Sequence, residues 1–286
     1  VLPWIHAISG DQLSPEQARH HLDLIEQHLL GPDGARLFNT PPAYRGGPME
    51  VFQRAEAATF WGREIGLMYT HAHLRYCEAL ARVGRADQLF DALLLTVPIG
   101  LPERSERSQP RQSTCYYSSS DGAFKDRAQA GDHYDDLIAG EVDLEGGWRI
   151  YSSGPGLFLR LLVETVLGVR RRSHVVELDP VLPQGLDGLS ATVPFEDGAI
   201  EVRYRFVDAD WQRSDQHTPV TAVLVDGQPV TTTALHNPYR DAGVSIDRRQ
   251  LRAGRGGPAR ESQRCRVPDS KTSFANECDA ARPSFH

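Results

Sequence analysis

The rhythm of the apolar residues changes once along this chain, at Gly168, and no other feature limits the fold as strongly. Before that glycine, apolar residues recur three and four positions apart, the period of an amphipathic helix. After it they fall in short alternating runs bounded by turn residues, the period of strands. The expected fold class is therefore mainly α with a β C-terminal part. The expected division is residues 1–168 helical, 169–250 a β-sandwich-like unit, and 251–286 a tail. That tail is rich in Gly, Arg, Ser and Pro without apolar periodicity, a composition that predicts disorder.

The first helix is written out with its punctuation. Ser14 is placed to cap it, Pro15 fills the first helical position and Glu16 the first turn. Ala18, Leu22, Ile25 and Leu29 then form one apolar face, and Gly31 with Pro32 ends the segment. The stretch "REIGLMYTHAHLRYCEALARVGRADQLFDALLLTVP" predicts two helices broken at Gly84. "SSDGAFKDRAQAGDHYDDLIAG" reads as a weaker helix, broken near Gly131. "LFLRLLVETVLG" is apolar nearly all round, which predicts a helix surrounded by others. Beyond Gly168, Asp197-Gly198 and Asp226-Gly227 are hairpin turns between β-type runs.

One string stands apart: "GGWRIYSSGPG", residues 146–156, which runs directly into that apolar helix. Pro155 suits the start of a helix, and the backbone amides of Gly154 and Gly156 would lie at its positive end. Glycine lets a ligand approach the backbone, and Ser152 and Ser153 add hydroxyl donors. An anion site of the phosphate type follows; an ordinary tight turn capped by Ser153 would use the same residues. His71 and His73, two apart in "YTHAHLRY", point in different directions on a helix and so are poor partners for one metal unless the helix is broken there. Either one is a buried structural residue or a donor to an anion or sugar. "CYYSSSDGAFKDR" holds Tyr117 and Asp121 among hydroxyls, a mixture that suits a carbohydrate; capping by Ser120 or Asp121 is the plainer alternative. The long loop "FNTPPAYRGGPMEVFQRAEAATFWG" carries Glu50 and Arg54 beside Phe60 and Trp61, and Trp148 lies inside the glycine-rich string.

Composition closes several options. The formal net charge of −7 argues against a nucleic-acid binder. No apolar run reaches the roughly 18 residues of a membrane span. The four cysteines form no CxxC pair and are scattered, which fits a reducing, cytoplasmic setting better than a disulfide framework, and no metal is expected. The chain starts "VLPWIHAISG", without an initiator Met or a signal sequence, and reads as the downstream piece of a longer protein, a processed mature start being the alternative. No nucleophile elbow, P-loop or dinucleotide fingerprint occurs, and no pair of carboxylates stands out by spacing.

Four strings in order, "LPWIHAIS", "RAEAATFWGREIGLMYTHAHLRY", "CYYSSSDGAFKDR" and "GGWRIYSSGPG…LGVRRRSHVVELDPVLPQGLDGL", resemble the C-terminal part of glycoside hydrolase family 94, the inverting β-glucoside phosphorylases, and within it the members acting on β-1,2-glucans. The resemblance implies part of an (α/α)₆ barrel followed by a small antiparallel β domain. It also implies attack of inorganic phosphate on a terminal β-glucosyl unit, with α-glucose 1-phosphate released. By the same resemblance His71, with His73 as its rival, matches the phosphate-binding histidine. Ser153 and Gly154 match the hydroxyl–glycine pair, and Glu50, Arg54, Tyr117, Asp121 and Trp148 join His73 as candidate sugar contacts. The family's general-acid aspartate would lie upstream, so no catalytic residue is expected in this chain and it would be inactive alone. No cofactor is implied beyond phosphate as co-substrate, and a homodimer is the assembly expected of a full-length protein. A glucanotransferase related to cyclic β-1,2-glucan synthases, or a non-catalytic carbohydrate-binding module, are the alternatives.

Overall fold

The computed structural model describes residues 1–39, 67–125, 127–147, 149, 153–196, 198–206, 219–252 and 263–266. Helix α1 (Leu2–Ser9) buries Ile5 and Ile8. Helix α2 (Pro15–Leu29) opens on a full capping box: the Ser14 hydroxyl accepts from the Gln17 amide at 3.2 Å, and the Gln17 side chain accepts from the Ser14 amide at 2.9 Å. Its buried residues are Ala18, Leu22, Ile25 and Leu29, the face that periodicity marked. A short hairpin, β1 (Leu30–Gly31) and β2 (Gly34–Ala35), turns the chain back.

Strand β3 (Met68–Tyr69) leads into the central helix α3 (Thr70–Val83). Ala72, His73, Leu74, Tyr76, Cys77, Ala79, Leu80 and Ala81 are all buried, so neighbours close on it from several sides. Gly84, at φ 90°, takes the left-handed conformation that ends the helix, a shape that costs glycine little. Helices α4 (Ala86–Leu94) and α5 (Leu101–Arg104) follow. The weak helix expected next is corrected at its start. Residues Ser119–Gly122 form strand β4, and only then come α6 (Arg127–Asp132) and α7 (Tyr134–Ile138). The hydroxyl-rich segment pairs because β3 on one side and β5 (Leu144–Gly146) on the other supply hydrogen-bonding edges.

Helix α8 (Ser153–Arg160) runs on into a π-helical turn at Leu161–Val166. Leu157, Leu161 and Val166 are buried, whereas Leu159 is 60% exposed, so this apolar helix is covered on one face only among the described residues. Strands β6 (Val169–Arg171) and β7 (Val175–Leu178) begin the β part directly after Gly168. Both predicted hairpins are present. Strands β8 (Ser190–Phe195) and β9 (Gly198–Arg203) pair from Ser190↔Arg203 to Phe195↔Gly198. Strands β10 (Leu224–Val225) and β11 (Gln228–Pro229) are joined through Asp226 and Gly227, both at positive φ. Strands β12 (Thr233–Ala234) and β13 (Val244–Asp247) and helix α9 (Arg248–Arg252) follow. The tail is not wholly irregular: Gln263–Arg266 form β14, inserted between β10 and β9. It pairs parallel to β9, which also corrects the expectation of a purely antiparallel β part. Backbone hydrogen bonding, blind to side-chain pattern, carries this strand. The remaining tail lies outside the described residues.

The sheets run in the orders β11-β10-β14-β9-β8 and β12-β13-β7-β6, and the smaller β3-β4-β5 sheet sits among the helices. One apolar cluster joins the two parts: Ile5, Leu22, Leu80 and Leu161 belong to the same core as Val176, Phe195, Ile200 and Ile246. A polar latch reinforces it at the carboxyl end of α3. The Arg240 guanidinium donates to the Ala81 carbonyl at 3.2 Å and Asn237 to the Arg82 carbonyl at 3.0 Å, satisfying helix-end acceptors. Arg240 is in turn held by Asp179 through two bonds of 2.8 and 2.9 Å, and Asp179 also accepts from Arg170 at 2.8 Å and the Gly243 amide at 2.7 Å. Burial alone would raise the Asp179 carboxyl, but these arginines hold it far below the usual carboxylate range.

Candidate functional site

The β3-β4-β5 sheet assembles what the sequence scattered. Its middle strand continues from "CYYSSS", and that segment grips the start of α3: the Thr70 amide donates to the Ser118 carbonyl at 3.0 Å, and the Thr70 hydroxyl to the Tyr117 carbonyl at 2.8 Å. No side chain caps this helix end. His71, in the first turn, is half-buried and stacks on Tyr69 with ring centroids 6.3 Å apart. Partial burial, and then the charge of Arg75 one turn on, lower its pKa, so the ring is held neutral. A neutral imidazole still offers one N–H donor.

The glycines of residues 146–156 now have reasons. A methyl group on Gly146 would strike the Tyr117 ring, one on Gly147 the Ser119 hydroxyl, and one on Gly154 the Tyr116 hydroxyl. Three side chains of one short segment, Tyr116, Tyr117 and Ser119, thus press on the backbone that leads to α8. Gly154 is buried beneath Tyr116, while Gly156 faces open space and needs no glycine for steric reasons. A backbone bond from Gly147 to the Ser119 carbonyl at 2.9 Å and a bridge between Tyr117 and Arg149 extend the contact. His71, the Tyr116–Ser120 segment and the start of α8 are therefore brought together about one small sheet. Helices α3 and α8 pack side by side below it.

The two histidines part company. His73 is fully buried; its Nδ1 accepts from the Ala35 amide at 2.9 Å and its Nε2 donates to the Ala92 carbonyl at 2.8 Å. Both ring nitrogens are spent on backbone, and burial lowers its pKa. This geometry gives His73 a structural task and removes it as a ligand contact. Asp121 is half-buried in β4, with Oδ1 accepting from the Gly122 amide at 2.9 Å. Burial raises its pKa to about 6, with Arg36 opposing and Asp33 and Glu145 adding to the rise. Ser153 opens α8. Glu50, Arg54, Trp148 and the Ser153 side chain lie outside the described residues.

Sequence reasoning missed two groups. Arg36 and Asp33, in and beside the β1–β2 hairpin, are fully buried and in ion-pair contact at 2.8 Å, yet not aligned as a hydrogen bond. Gly31 makes room for that guanidinium. Burying charges so incompletely paired is costly, and the pair faces Asp121 and Tyr134 electrostatically. Arg111 lies 5.4 Å over the Tyr117 ring and donates to the Ser120 hydroxyl at 2.8 Å. Neither group sits in a recognisable spacing; a charged residue in a turn is the commonest surface signal. Among the described residues no three His, Cys, Asp or Glu side chains converge as a metal site, and no helix is long and apolar enough to cross a membrane.

The first turn of α3 with His71, and the backbone that leads to α8, thus lie about one hydroxyl-rich segment. The chain is related to the β-glucan phosphorylases: it matches the C-terminal part of one with 36% identity over 253 residues, 88% of the chain. That relative is the 1,2-beta-oligoglucan phosphorylase of Listeria innocua. A second relative, the cyclic beta-(1,2)-glucan synthase NdvB of Rhizobium meliloti, is 28% identical over 180 residues, 62% of the chain. The chain spans 22% of the length of the first and 6% of the second. No family model matches the chain.

Proposed function

We propose that this chain is the C-terminal portion of an inverting glycoside phosphorylase of glycoside hydrolase family 94. It would cleave β-1,2 bonds of gluco-oligosaccharides with inorganic phosphate to give α-glucose 1-phosphate, in the cytoplasm. The helices would then be the closing part of an (α/α)₆ barrel. The observation that carries the reading is the meeting of His71, the Tyr116–Ser120 segment and Gly154 at one corner, in a chain related to a phosphorylase.

In this reading His71 donates its N–H to phosphate, and the Gly154 amide and the Ser153 hydroxyl donate from the start of α8, where the helix dipole favours an anion. Tyr117 and Asp121 face the sugar, with Glu50, Arg54 and Trp148 as further contacts. Phosphate is already a charged nucleophile, so a single carboxylic acid, protonating the leaving oxygen, completes the reaction. That acid is assigned to sequence outside this chain, which is inactive by itself. Release of glucose 1-phosphate from sophoro-oligosaccharides by the full-length protein, dependent on phosphate and lost in Ser153→Ala and His71→Ala, is the expected result. An unchanged phosphate requirement in both variants would end the assignment. The relation to the glucan synthase favours a second reading, glucosyl transfer between oligosaccharides; products formed at full rate without phosphate would select it.

A further inference from the structure

Away from that corner, a cleft of about 680 Å³ opens between α3, the end of α8 and the β6–β7 strands. This is the size of a site for a small metabolite. Six guanidinium groups line it, Arg75, Arg82, Arg160, Arg170, Arg172 and Arg240, against three carboxylates, Glu78, Glu177 and Asp179. None of His71, Tyr117, Asp121 or Gly154 belongs to its lining.

The carboxylates are fully engaged. Glu78 is shared by Arg75, at 2.6 Å, and Arg160; Glu177 by Arg170 and Arg172, at 2.8 and 2.9 Å; Asp179 by Arg170 and Arg240. Each acid therefore orients two guanidiniums, and a guanidinium has five N–H donors, more than these bonds use. Arg82 turns to Asp11 instead, and Arg160 has a second, looser acid, Glu164, at 3.8 Å on the exposed side. Positive charge and unspent donors are left over. The side chains of Arg160 and Arg172 are 41% and 56% exposed, so they stand at the rim, while Arg240, at 9%, forms part of the floor. The Ser9 and Thr165 side chains add hydroxyls, Thr165 from the π-helical turn, an irregularity often found at functional places. Among the described residues no Phe, Tyr or Trp lines the cleft, so it lacks the broad platform that suits a neutral sugar, and His236 adds an imidazole to the lining.

We propose that this cleft is a second binding site, for a small oxyanion carrying two charges, of the phosphate and phosphate-monoester class. Guanidinium forks preset by one buried and two partly buried acids suit such an anion in geometry and charge. This site stands independently of the function proposed for the His71 corner.

The test is calorimetric titration of the chain with inorganic phosphate and, separately, with glucose 1-phosphate, in sodium chloride of matched ionic strength. The tighter of the two arms distinguishes free phosphate from a phosphate ester as the ligand. Arg172→Gln and Arg160→Gln should each weaken this binding about tenfold, the worth of one charge-assisted pair, and Arg249→Gln, at an exposed arginine outside the lining, should leave it unchanged. Arg172→Lys, which keeps the charge and the fold, should lose less than Arg172→Gln. Binding of neither anion, or binding that Arg172→Gln and Arg160→Gln leave intact, overturns the proposal. Binding abolished by His71→Asn and untouched by the arginine variants would do the same, while supporting the phosphate corner.

Discussion

The two ends of α3 are built differently. At the carboxyl end Gly84 closes the helix, and Arg240 and Asn237 take up its carbonyls. Asp179 behind them has every bond it needs. At the amino end no side chain caps the helix, His71 is half-exposed, and Asp121 is held near pH 6 beside a poorly aligned Arg36–Asp33 pair. At the carboxyl end the helix carbonyls and Asp179 are satisfied by contacts within the chain; at the amino end a half-exposed imidazole stands near a buried pair that is poorly aligned. Costly and perturbed polar groups gather at functional sites, which is the support this contrast lends to the corner proposed at the amino end.

The sharpest way to break the contrast is at the finished end. Asp179→Ala leaves the largely buried Arg240 without its acid, takes one of two acids from Arg170, and should cost about 3–5 kcal/mol in urea unfolding at neutral pH. Because the folded carboxyl titrates below the unfolded one, its contribution is present above the ordinary carboxylate pKa and is lost as the pH falls through the folded value. The variant and the parent should therefore converge in acid; equal stability at pH 7 would mean that the latch holds nothing.

Next in size is the difference between the histidines. His73→Ala strands the Ala35 amide and the Ala92 carbonyl and should cost about 1–3 kcal/mol. His71→Ala should stay within about 0.5 kcal/mol, since its ring is half-exposed. A reversal of that order in thermal unfolding would exchange their roles. Gly154→Ala drives a methyl into the Tyr116 hydroxyl, with a loss of about 1–2 kcal/mol. Adding Tyr116→Phe should restore part of it, and no recovery in the double variant would show the contact to be unimportant.

A pH-dependent effect is expected at Asp121. Its raised pKa means that the folded chain binds the proton more tightly than the unfolded one. Stability should decline as the pH rises from the ordinary carboxylate range to about 6, and then level. Asp121→Asn should remove that slope and be the more stable protein at pH 7. A slope that persists in the variant assigns it to another group.

The sequence was readable where structure is local. The Ser14 cap, the α2 face, the break at Gly84 and both hairpins follow from neighbours within a few residues. That His71 and His73 face different ways was also legible from their spacing; which one is buried was not, because Ala35 and Ala92, its partners, lie far off in the chain. The glycines of residues 146–156 suggested a ligand, yet Gly146, Gly147 and Gly154 are first required by side chains some thirty residues earlier. Strand β14 carries no alternation that could announce it, and Arg240 gives no sign in sequence of the helix end that it caps.

The most direct test follows the two histidine rings by carbon–proton NMR while inorganic phosphate is added at constant ionic strength. The account predicts that the His71 ring resonances move in a saturable way and those of His73 stay in place. A titration that leaves His71 unmoved, or shifts both rings alike, would contradict it.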